Sequence, residues 1–279
     1  RSPFGMVVIR PSAIGWTQAN LEERVEGLTR SSKGEAIYVV NYNIEGSQYS
    51  ITGHLSMLKK LQTEIKDIEV KVGATKSACI WVEGVDVPFH SPLLRDGVEA
   101  FRKTLQHTIS EFHPEFLVDR YVPNLNAEPF RLDKDYAQSI FNLTESPVLK
   151  DVIKNWSEHE KNPGELSRIL LIELLAYQFA SPVRWIQTQK VFLTNPKYLV
   201  DRVIEIGPSP VLSNMMKATA GKVSVVVAPE IHQFDTERDA VFYRYEPVIE
   251  EAPVTTPAAS ADQKAQTVSF LSKKRLCDF

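Results

Sequence analysis

Residues 36–58 read AIYVVNYNIEGSQYSITGHLSML, two β-branched runs followed by a segment with helical spacing. Residues 36–40 and 48–52 are rich in Val, Ile, Thr and Tyr, which favour strands. Residues 43–46 between them predict a turn, and Gly53 ends the second strand. The apolar residues after Gly53 recur every three or four positions, which predicts a helix face: Leu55, Leu58, Leu61 and Ile65. We therefore predict a β-hairpin that leads directly into a helix.

The flanking sequence completes a larger unit around this hairpin. Residues 6–9 form a short apolar run, and residues 17–28 have helical spacing with Thr17 as the N-cap. Residues 79–82 predict a fourth strand. The resulting β-α-β-β-α-β order is that of a ferredoxin-like unit, which we assign to residues 1–86 of an α/β protein.

His90 is the first candidate for chemistry. It lies in residues 87–92, VPFHSP, at the end of an extended run and before a helix opened by Ser91 and Pro92. One interpretation is a general base that takes a proton from a nucleophile and then protonates a leaving group. The other is a histidine that caps the following helix or fills a polar niche. The residues alone leave both open.

The remainder of the chain predicts mostly helices. Residues 166–179 are apolar nearly all round, which predicts a helix buried on most sides. The stretch at residues 162–164, Asn-Pro-Gly, predicts a loop. Further predictions are helices at residues 133–142, 147–156, 181–185 and 209–216 and strands at residues 202–206 and 222–227. Residues 246–279 are rich in Pro, Ala, Thr and Glu, which predicts a disordered linker.

Composition excludes several classes of protein. The net charge is -3, from 32 basic and 35 acidic residues, so nothing favours nucleic acid or an anionic membrane surface. No apolar run approaches the roughly 20 residues that span a bilayer, and no signal peptide is predicted. Cys79 and Cys277 are the two cysteines, which favours a reducing, cytoplasmic setting over a disulfide-bonded one.

A search for a nucleophile or a metal site gives no candidate in the chain. It contains no Gly-x-Ser-x-Gly elbow, and Cys79 lies in an apolar strand where burial would make it inert. The other five histidines show no ligand spacing, and no His/Cys cluster indicates a metal. The sequence therefore offers a base without the group that a base would activate.

Several motifs resemble one family. Together they are similar, over about residues 1–245, to the C-terminal part of the malonyl/palmitoyl acyltransferase domain of fungal-type type I fatty acid synthase. The motifs are Asn41-Tyr42-Asn43 with Gln48, Tyr49 and Gly53, the stretch at 87–91, the stretch at 121–125 with Pro129 and Phe130, and the long stretches at 173–185 and 203–210.

The resemblance implies a domain organisation. Residues 87–245 would be the C-terminal part of the larger α/β acyltransferase subdomain, beside the ferredoxin-like subdomain. In two-subunit fungal synthases this domain is assembled from the end of the β chain and the start of the α chain. Here both parts lie in one chain, with the junction near residues 162–164. The linker at 246–279 would lead toward an acyl carrier domain.

The resemblance also implies a transferase chemistry. A serine in an elbow attacks the thioester of acyl-coenzyme A, His90 activates that serine, and the phosphopantetheine thiol of the carrier protein removes the acyl group. A backbone carbonyl near Ser181 would hold the His90 ring. Asn43 would be a polar contact in the substrate pocket, or else a turn residue. No tightly bound cofactor is implied. The elbow would lie outside this chain, so we expect the chain alone to be inactive.

The implied setting is a multifunctional enzyme of fatty acid biosynthesis in the cytoplasm. Its partners would be the acyl carrier protein domain and the remaining synthase domains or subunits, in a large homo- or hetero-oligomer. Two alternatives stay open at this point. The chain could be a non-catalytic scaffold or interaction piece of such an assembly, or a piece of a polyketide synthase acyltransferase.

Overall fold

The computed structural model describes residues 2–242. The N-terminal part of the chain forms a four-stranded antiparallel sheet. Its strands are β1 (Phe4–Ile9), β2 (Ile37–Ile44), β3 (Gln48–His54) and β4 (Cys79–Trp81). Helices α1 (Gln18–Ser31) and α2 (Leu55–Val72) connect them. The strand order is β2-β3-β1-β4 with every neighbouring pair antiparallel. This is the predicted βαββαβ arrangement.

Local signals explain the boundaries of these elements. Thr17 Oγ1 accepts a hydrogen bond from the Asn20 amide at 3.2 Å, and the Asn20 side chain accepts from the Thr17 amide at 3.0 Å. This reciprocal cap fixes the start of α1. Gly53 has a φ of 141°, and a Cβ atom there would lie 2.2 Å from the Ala36 carbonyl oxygen. Only glycine therefore lets β3 approach the start of β2.

The hairpin differs from the prediction at its turn. Strand β2 continues to Ile44, because Tyr42 and Ile44 pair with Tyr49 and Gln48 across an irregular register. The turn therefore begins only after Ile44, with Gly46 at a φ of 66°. Asn43 is consequently a buried strand residue and not a turn residue in left-handed geometry.

The rest of the described chain is mainly helical. Its helices are α3 (Val98–Thr108), α4 (Lys134–Thr144), α5 (Pro147–Lys154), α6 (Trp156–His159), α7 (Pro163–Gln178), α8 (Trp185–Thr194), α9 (Val211–Ala220) and α10 (Arg238–Phe242). Strands β5 (Arg202–Glu205) and β6 (Glu230–Gln233) form a parallel pair. Residues 2–242 have two hydrophobic cores: the first lies between the four-stranded sheet and helices α1 and α2, and the second lies among the later helices. The second core includes the fully buried side chains of Phe130, Tyr136, Leu170 and Leu174. Helix α7 runs through this core, as its apolar sequence predicts.

Three local predictions in this part are wrong. Residues 162–164 begin a helix, because Asn162 caps α7 through the Glu165 amide and Pro163 takes the first helical position. Residues 181–184 are not helical, since Val183 pairs with β2 and α8 begins at Trp185. Residues 222–227 are not a strand, since β5 pairs with residues 230–233 instead.

The predicted domain limits remain predictions. The first core gathers the sheet with α1 and α2, yet it also contains Ile186 of α8, far beyond residue 86. The predicted linker at 246–279 lies outside the described residues, as does the end of the segment 87–245. Among residues 2–242, no helix combines the length and apolarity needed to cross a bilayer.

Candidate active site

His90 has an unusual backbone conformation that the surrounding chain enforces. Its φ is 63°, in the left-handed region that non-glycine residues seldom occupy. The His90 amide donates to the Phe179 carbonyl at 2.7 Å. The buried Ser91 hydroxyl donates to the Pro88 carbonyl at 2.6 Å and closes the turn around the histidine. Such conformations cost about 1–3 kcal/mol and cluster at functional sites. Within residues 2–242 a positive φ also occurs at Asp119, Ala127, Glu145 and Leu199. What distinguishes His90 is therefore the set of contacts that its ring makes.

The His90 ring is held through one nitrogen. Nδ1 lies 2.9 Å from the carbonyl oxygen of Gln178, the last residue of α7. The final carbonyls of a helix have no partner within it, so this one is free to accept. A carbonyl only accepts, so the neutral ring carries its proton on Nδ1 and leaves Nε2 unprotonated. That is the tautomer a general base requires.

The predicted orienting carbonyl at Ser181 is replaced by that of Gln178. Helix α7 ends at Gln178, so this carbonyl has no partner within the helix, and the Ser181 amide donates to the same oxygen at 3.4 Å. The Ser181 side chain is only 4% exposed, and its hydroxyl has no hydrogen-bond partner within residues 2–242. Ser181 therefore lies beside the orienting group without supplying it.

The end of α7 is also tied to the four-stranded sheet. The Val183 amide donates to the Val40 carbonyl at 2.8 Å, and the Tyr42 amide donates to the Val183 carbonyl at 3.0 Å. Residues Asn41 and Val183 form an isolated parallel bridge. This pairing joins β2 to the segment that follows the Gln178 carbonyl. The two cores therefore meet next to the histidine.

An open groove of about 660 Å³ lies along this junction. Tyr38 and Tyr42 of β2 line one side of the groove. Pro92 and Pro182, which follow His90 and Ser181 in the chain, also line it. Helix α1 contributes the other wall, with Glu22, Glu26 and Arg30 among its lining side chains. Burial raises the pKa of Tyr42, and the nearby Glu22 carboxylate raises it further. Its phenol therefore stays neutral and donates its hydrogen bond to the Glu22 carboxylate, which lines the same groove.

Asn43 lies apart from this groove. Its Nδ2 atom is 3.4 Å from the Ser50 hydroxyl, and its backbone carbonyl accepts from Gln189 Nε2 at 2.8 Å. These contacts join β2 to β3 and α8. Asn43 is not among the side chains that line the groove, so a contact with substrate stays a prediction for this residue.

Other reactive groups are not brought to His90. Burial raises the pKa of Cys79 to about 11, which keeps it as an inert thiol. No serine, threonine or cysteine within residues 2–242 hydrogen-bonds to the His90 ring. The described chain also holds no group of three or more His, Cys, Asp or Glu side chains arranged for a metal ion. The arrangement can accept and return a proton at Nε2, to a group that another segment must supply.

Comparison with known sequences identifies relatives of the chain. No family model matches it. Fatty acid synthase 2 of Mycosarcoma maydis is 34% identical over 255 residues, which cover 78% of the chain. The fatty acid synthase beta subunit of Saccharomyces cerevisiae is 32% identical over 58% of the chain. The alpha subunit of Schizosaccharomyces pombe is 38% identical over 38% of it. The chain spans only 7%, 10% and 6% of these relatives.

Solved structures with a similar fold are malonyl transacylases. One, bound to the acyl carrier protein of a type II polyketide synthase, has a TM-score of 0.53 at 19% identity. The acyl carrier protein S-malonyltransferase of Vibrio cholerae has a TM-score of 0.54 at 18% identity. The chain is covered to 82% and 86%, and those proteins to 56% and 59%. These similarities confirm the predicted α/β acyltransferase fold, and the sequence relatives confirm that β-subunit-like and α-subunit-like sequence are joined.

Proposed function

We propose that this chain, a homologue of parts of fungal fatty acid synthases, supplies the histidine and part of the cleft of a malonyl/palmitoyl transferase. The reaction moves acyl groups between coenzyme A and acyl carrier protein. The observation that carries the proposal is the 2.9 Å contact between His90 Nδ1 and the Gln178 carbonyl. It leaves Nε2 as the only ring atom able to take a proton.

The first half-reaction would load the enzyme. A serine hydroxyl from a segment outside this chain gives its proton to His90 Nε2 and attacks the thioester carbon of acyl-coenzyme A. A tetrahedral oxyanion forms. It collapses with cleavage of the carbon–sulfur bond, and the departing thiolate takes the proton back from the imidazolium. An acyl-serine ester and free coenzyme A result.

The second half-reaction would reverse these roles. The phosphopantetheine thiol of the carrier protein gives its proton to the same Nε2 atom and attacks the ester carbon. The serine oxygen then leaves and recovers the proton. No proton is gained or lost over the cycle, so a single base that is neutral between half-reactions suffices. The Gln178 carbonyl accepts from Nδ1–H throughout and stabilises the imidazolium without changing its own charge.

The groove reaches Pro92, two residues after His90 in the chain, and it fits the arm that delivers the acyl group. Its lining combines the half-buried aromatic faces of Tyr38 and Tyr42 with polar groups of α1. A pantetheine arm is a slender chain with two amides, so it needs both apolar cover and hydrogen-bond partners. The proposal therefore assigns the groove to the thioester arm of coenzyme A or of the carrier protein.

The assembly follows from the same assignment. The carrier domain must reach His90, and another segment must supply the serine and its oxyanion donors. We therefore propose the remaining fatty acid synthase domains or subunits and the acyl carrier protein as partners, in a large oligomer in the cytoplasm. Acyl-coenzyme A and the phosphopantetheine group act as substrates, and the reaction as written uses no resident cofactor.

Replacement of the base in the intact synthase tests the proposal. We expect His90→Ala to reduce malonyl transfer from coenzyme A to the carrier protein by at least about 10²–10⁴-fold, the usual contribution of a general base. His107→Ala, on the following helix α3, is the matched control and should transfer at the wild-type rate. Near-normal transfer by an assembled His90→Ala synthase would reject the proposal and favour a scaffold role for the chain.

A further inference from the structure

A buried ion pair joins the two helices that determine the surroundings of His90. Arg102 of α3 binds Glu173 of α7 in a planar fork, with Nε 2.6 Å from Oε1 and Nη2 3.0 Å from Oε2. The two side chains are only 5% and 1% exposed. The Ser146 hydroxyl donates to Glu173 Oε2 at 2.6 Å, and Glu99 also binds the Arg102 guanidinium. Both carboxylate oxygens of Glu173 are therefore occupied.

The same contact surface continues along α7 to its last residues. The centroid of the Tyr177 ring lies 5.2 Å from the Cζ atom of Arg95 and 5.6 Å from that of Arg102. Tyr177 is the residue immediately before Gln178. The segment that follows His90 in sequence thus holds α7 within one residue of the carbonyl that contacts the ring.

Aromatic packing holds the other side of Gln178. The rings of Phe101 and Phe179 meet edge to face with centroids 5.6 Å apart. Gly97 lies so close that a Cβ atom there would be 3.3 Å from Phe179 Cζ. Residues on both sides of Gln178 are therefore packed against the helical segment that His90 introduces.

Stability alone does not account for the pair. Charges buried in this way often contribute no more than well-packed apolar residues of similar volume, because the cost of desolvation offsets their attraction. The planar fork between Arg102 and Glu173 adds geometric specificity. Both of its hydrogen bonds can form in only one register of α3 against α7. A slide of α7 by one residue is about 1.5 Å, enough to carry a 2.9 Å hydrogen bond beyond its working range.

We propose that Arg102 and Glu173 form a positioning pair that sets the register of α7 against the His90 segment and so keeps the Gln178 carbonyl on Nδ1. The inference rests on the proposed function for its effect on catalysis. Its effect on the ring does not depend on that function. The pair acts through the Gln178 carbonyl and touches neither substrate nor the reacting atoms.

The test replaces the pair with apolar side chains of similar size, Arg102→Met with Glu173→Leu. This leaves no buried charge without a partner, since the exposed Glu99 carboxylate keeps Lys103. The matched control is Arg24→Met with Glu64→Leu. That pair also joins two helices through a fork, with Arg24 Nε 2.6 Å from Glu64 Oε2, but it lies in the sheet unit. The ¹⁵N shifts of the His90 imidazole in the full chain report the tautomer, and malonyl transfer by the intact synthase reports the rate.

We expect the Arg102/Glu173 double variant to lose the single Nδ1–H tautomer and to lower kcat about tenfold with KM unchanged. The Arg24/Glu64 control should change neither. A folded double variant with wild-type ¹⁵N shifts and rate would overturn the proposal. Altered shifts with an unchanged rate would support the positioning role and reject His90 as the base. Should the double variant not fold, Arg102→Lys keeps the charge and loses the fork, and wild-type shifts in that variant would likewise overturn the proposal.

Discussion

His90 Nδ1 meets the Gln178 carbonyl oxygen at 2.9 Å, although the two residues are 88 positions apart in the chain. One residue stands in a left-handed turn and the other ends a buried helix. Their meeting fixes which ring nitrogen carries the proton, and that choice decides whether the histidine can act as a base.

Replacing one residue of the buried Arg102–Glu173 pair should destabilise the protein much more than replacing both. Glu173→Leu removes the buried carboxylate partner of Arg102 and leaves only the exposed Glu99 carboxylate, and breaking a buried pair in this way typically costs about 3–5 kcal/mol of unfolding free energy. The Arg102→Met, Glu173→Leu double variant should lie within about 1–2 kcal/mol of the wild type. Urea unfolding of the three proteins measures both values. Equal destabilisation by the single and the double variant would contradict this account.

Gly97 should tolerate a side chain poorly for a reason that concerns His90. In Gly97→Ala the new methyl group would press on Phe179 at 3.3 Å, so we expect a loss of about 1 kcal/mol from overpacking and a lower rate of transfer. Gly27→Ala in α1 is the control. Outside the chain neighbours and the helix's own backbone, a Cβ atom added at Gly27 would meet only the end of the Arg24 side chain, at 4.0 Å. It should gain up to about 1 kcal/mol from helix propensity. Thermal unfolding distinguishes the two, and a stabilised Gly97→Ala variant would refute the packing argument.

Gly53 should be irreplaceable. A Cβ atom there would lie 2.2 Å from the Ala36 carbonyl oxygen, at a φ of 141° that side chains rarely adopt. Backbone strain and overpacking together predict that Gly53→Ala loses about 3 kcal/mol or more. Gly46→Ala in the adjacent turn, with open space around it, should lose less, since only its positive φ opposes the change. Urea unfolding curves that coincide for the two variants would show that the close approach has no energetic consequence.

The Glu205 carboxylate should make the free energy of unfolding depend on pH. Burial opposes its charge, but the amides of Ser213 and Leu212 at the start of α9 donate to its carboxylate at 2.8 and 2.9 Å and hold its pKa below the ordinary value of 4.5. The Glu205 carboxyl thus has a lower pKa in the folded protein than in the unfolded chain. Its ionisation contributes fully to the free energy of unfolding at a pH above the unfolded-state pKa, and this contribution is lost as the pH falls through the folded-state pKa. We therefore expect the advantage of the wild type over Glu205→Gln to shrink between about pH 5 and pH 3. A pH-independent difference in unfolding free energy would exclude this role.

The sheet unit could be predicted because its signals are local. Residues 48–52 alternate polar and apolar side chains before Gly53, Thr17 caps α1, and α2 has a distinct apolar face. The segment at 181–185 shows the limit of that reasoning. Ser181 and Pro182 resemble a helix start, but the pairing of Val183 with β2 joins residues more than 140 positions apart, and no local pattern encodes it.

The candidate site could be predicted from the sequence only in part. His90 stands out in the sequence because of the residues beside it, and the need for a backbone carbonyl follows from the family resemblance. Which carbonyl it is depends on where α7 stops, and the sequence places that stop near Phe179 without resolving a single residue. The sequence does not indicate that Arg102 and Glu173 pair, although Glu173 begins one of the family motifs. Charged residues on helices are usually solvated, and the burial of these two follows from the packing of α3 on α7.

The central claim is that the His90 imidazole is aimed at a hydroxyl from another segment of polypeptide. An experimental structure of the intact synthase tests it most directly, through the distance from His90 Nε2 to the nearest serine oxygen. The account predicts a serine Oγ within about 2.6–3.2 Å, or slightly farther without substrate, with Nδ1 still on the Gln178 carbonyl. An Nε2 atom packed among hydrocarbon side chains, with no serine oxygen in reach, would contradict it.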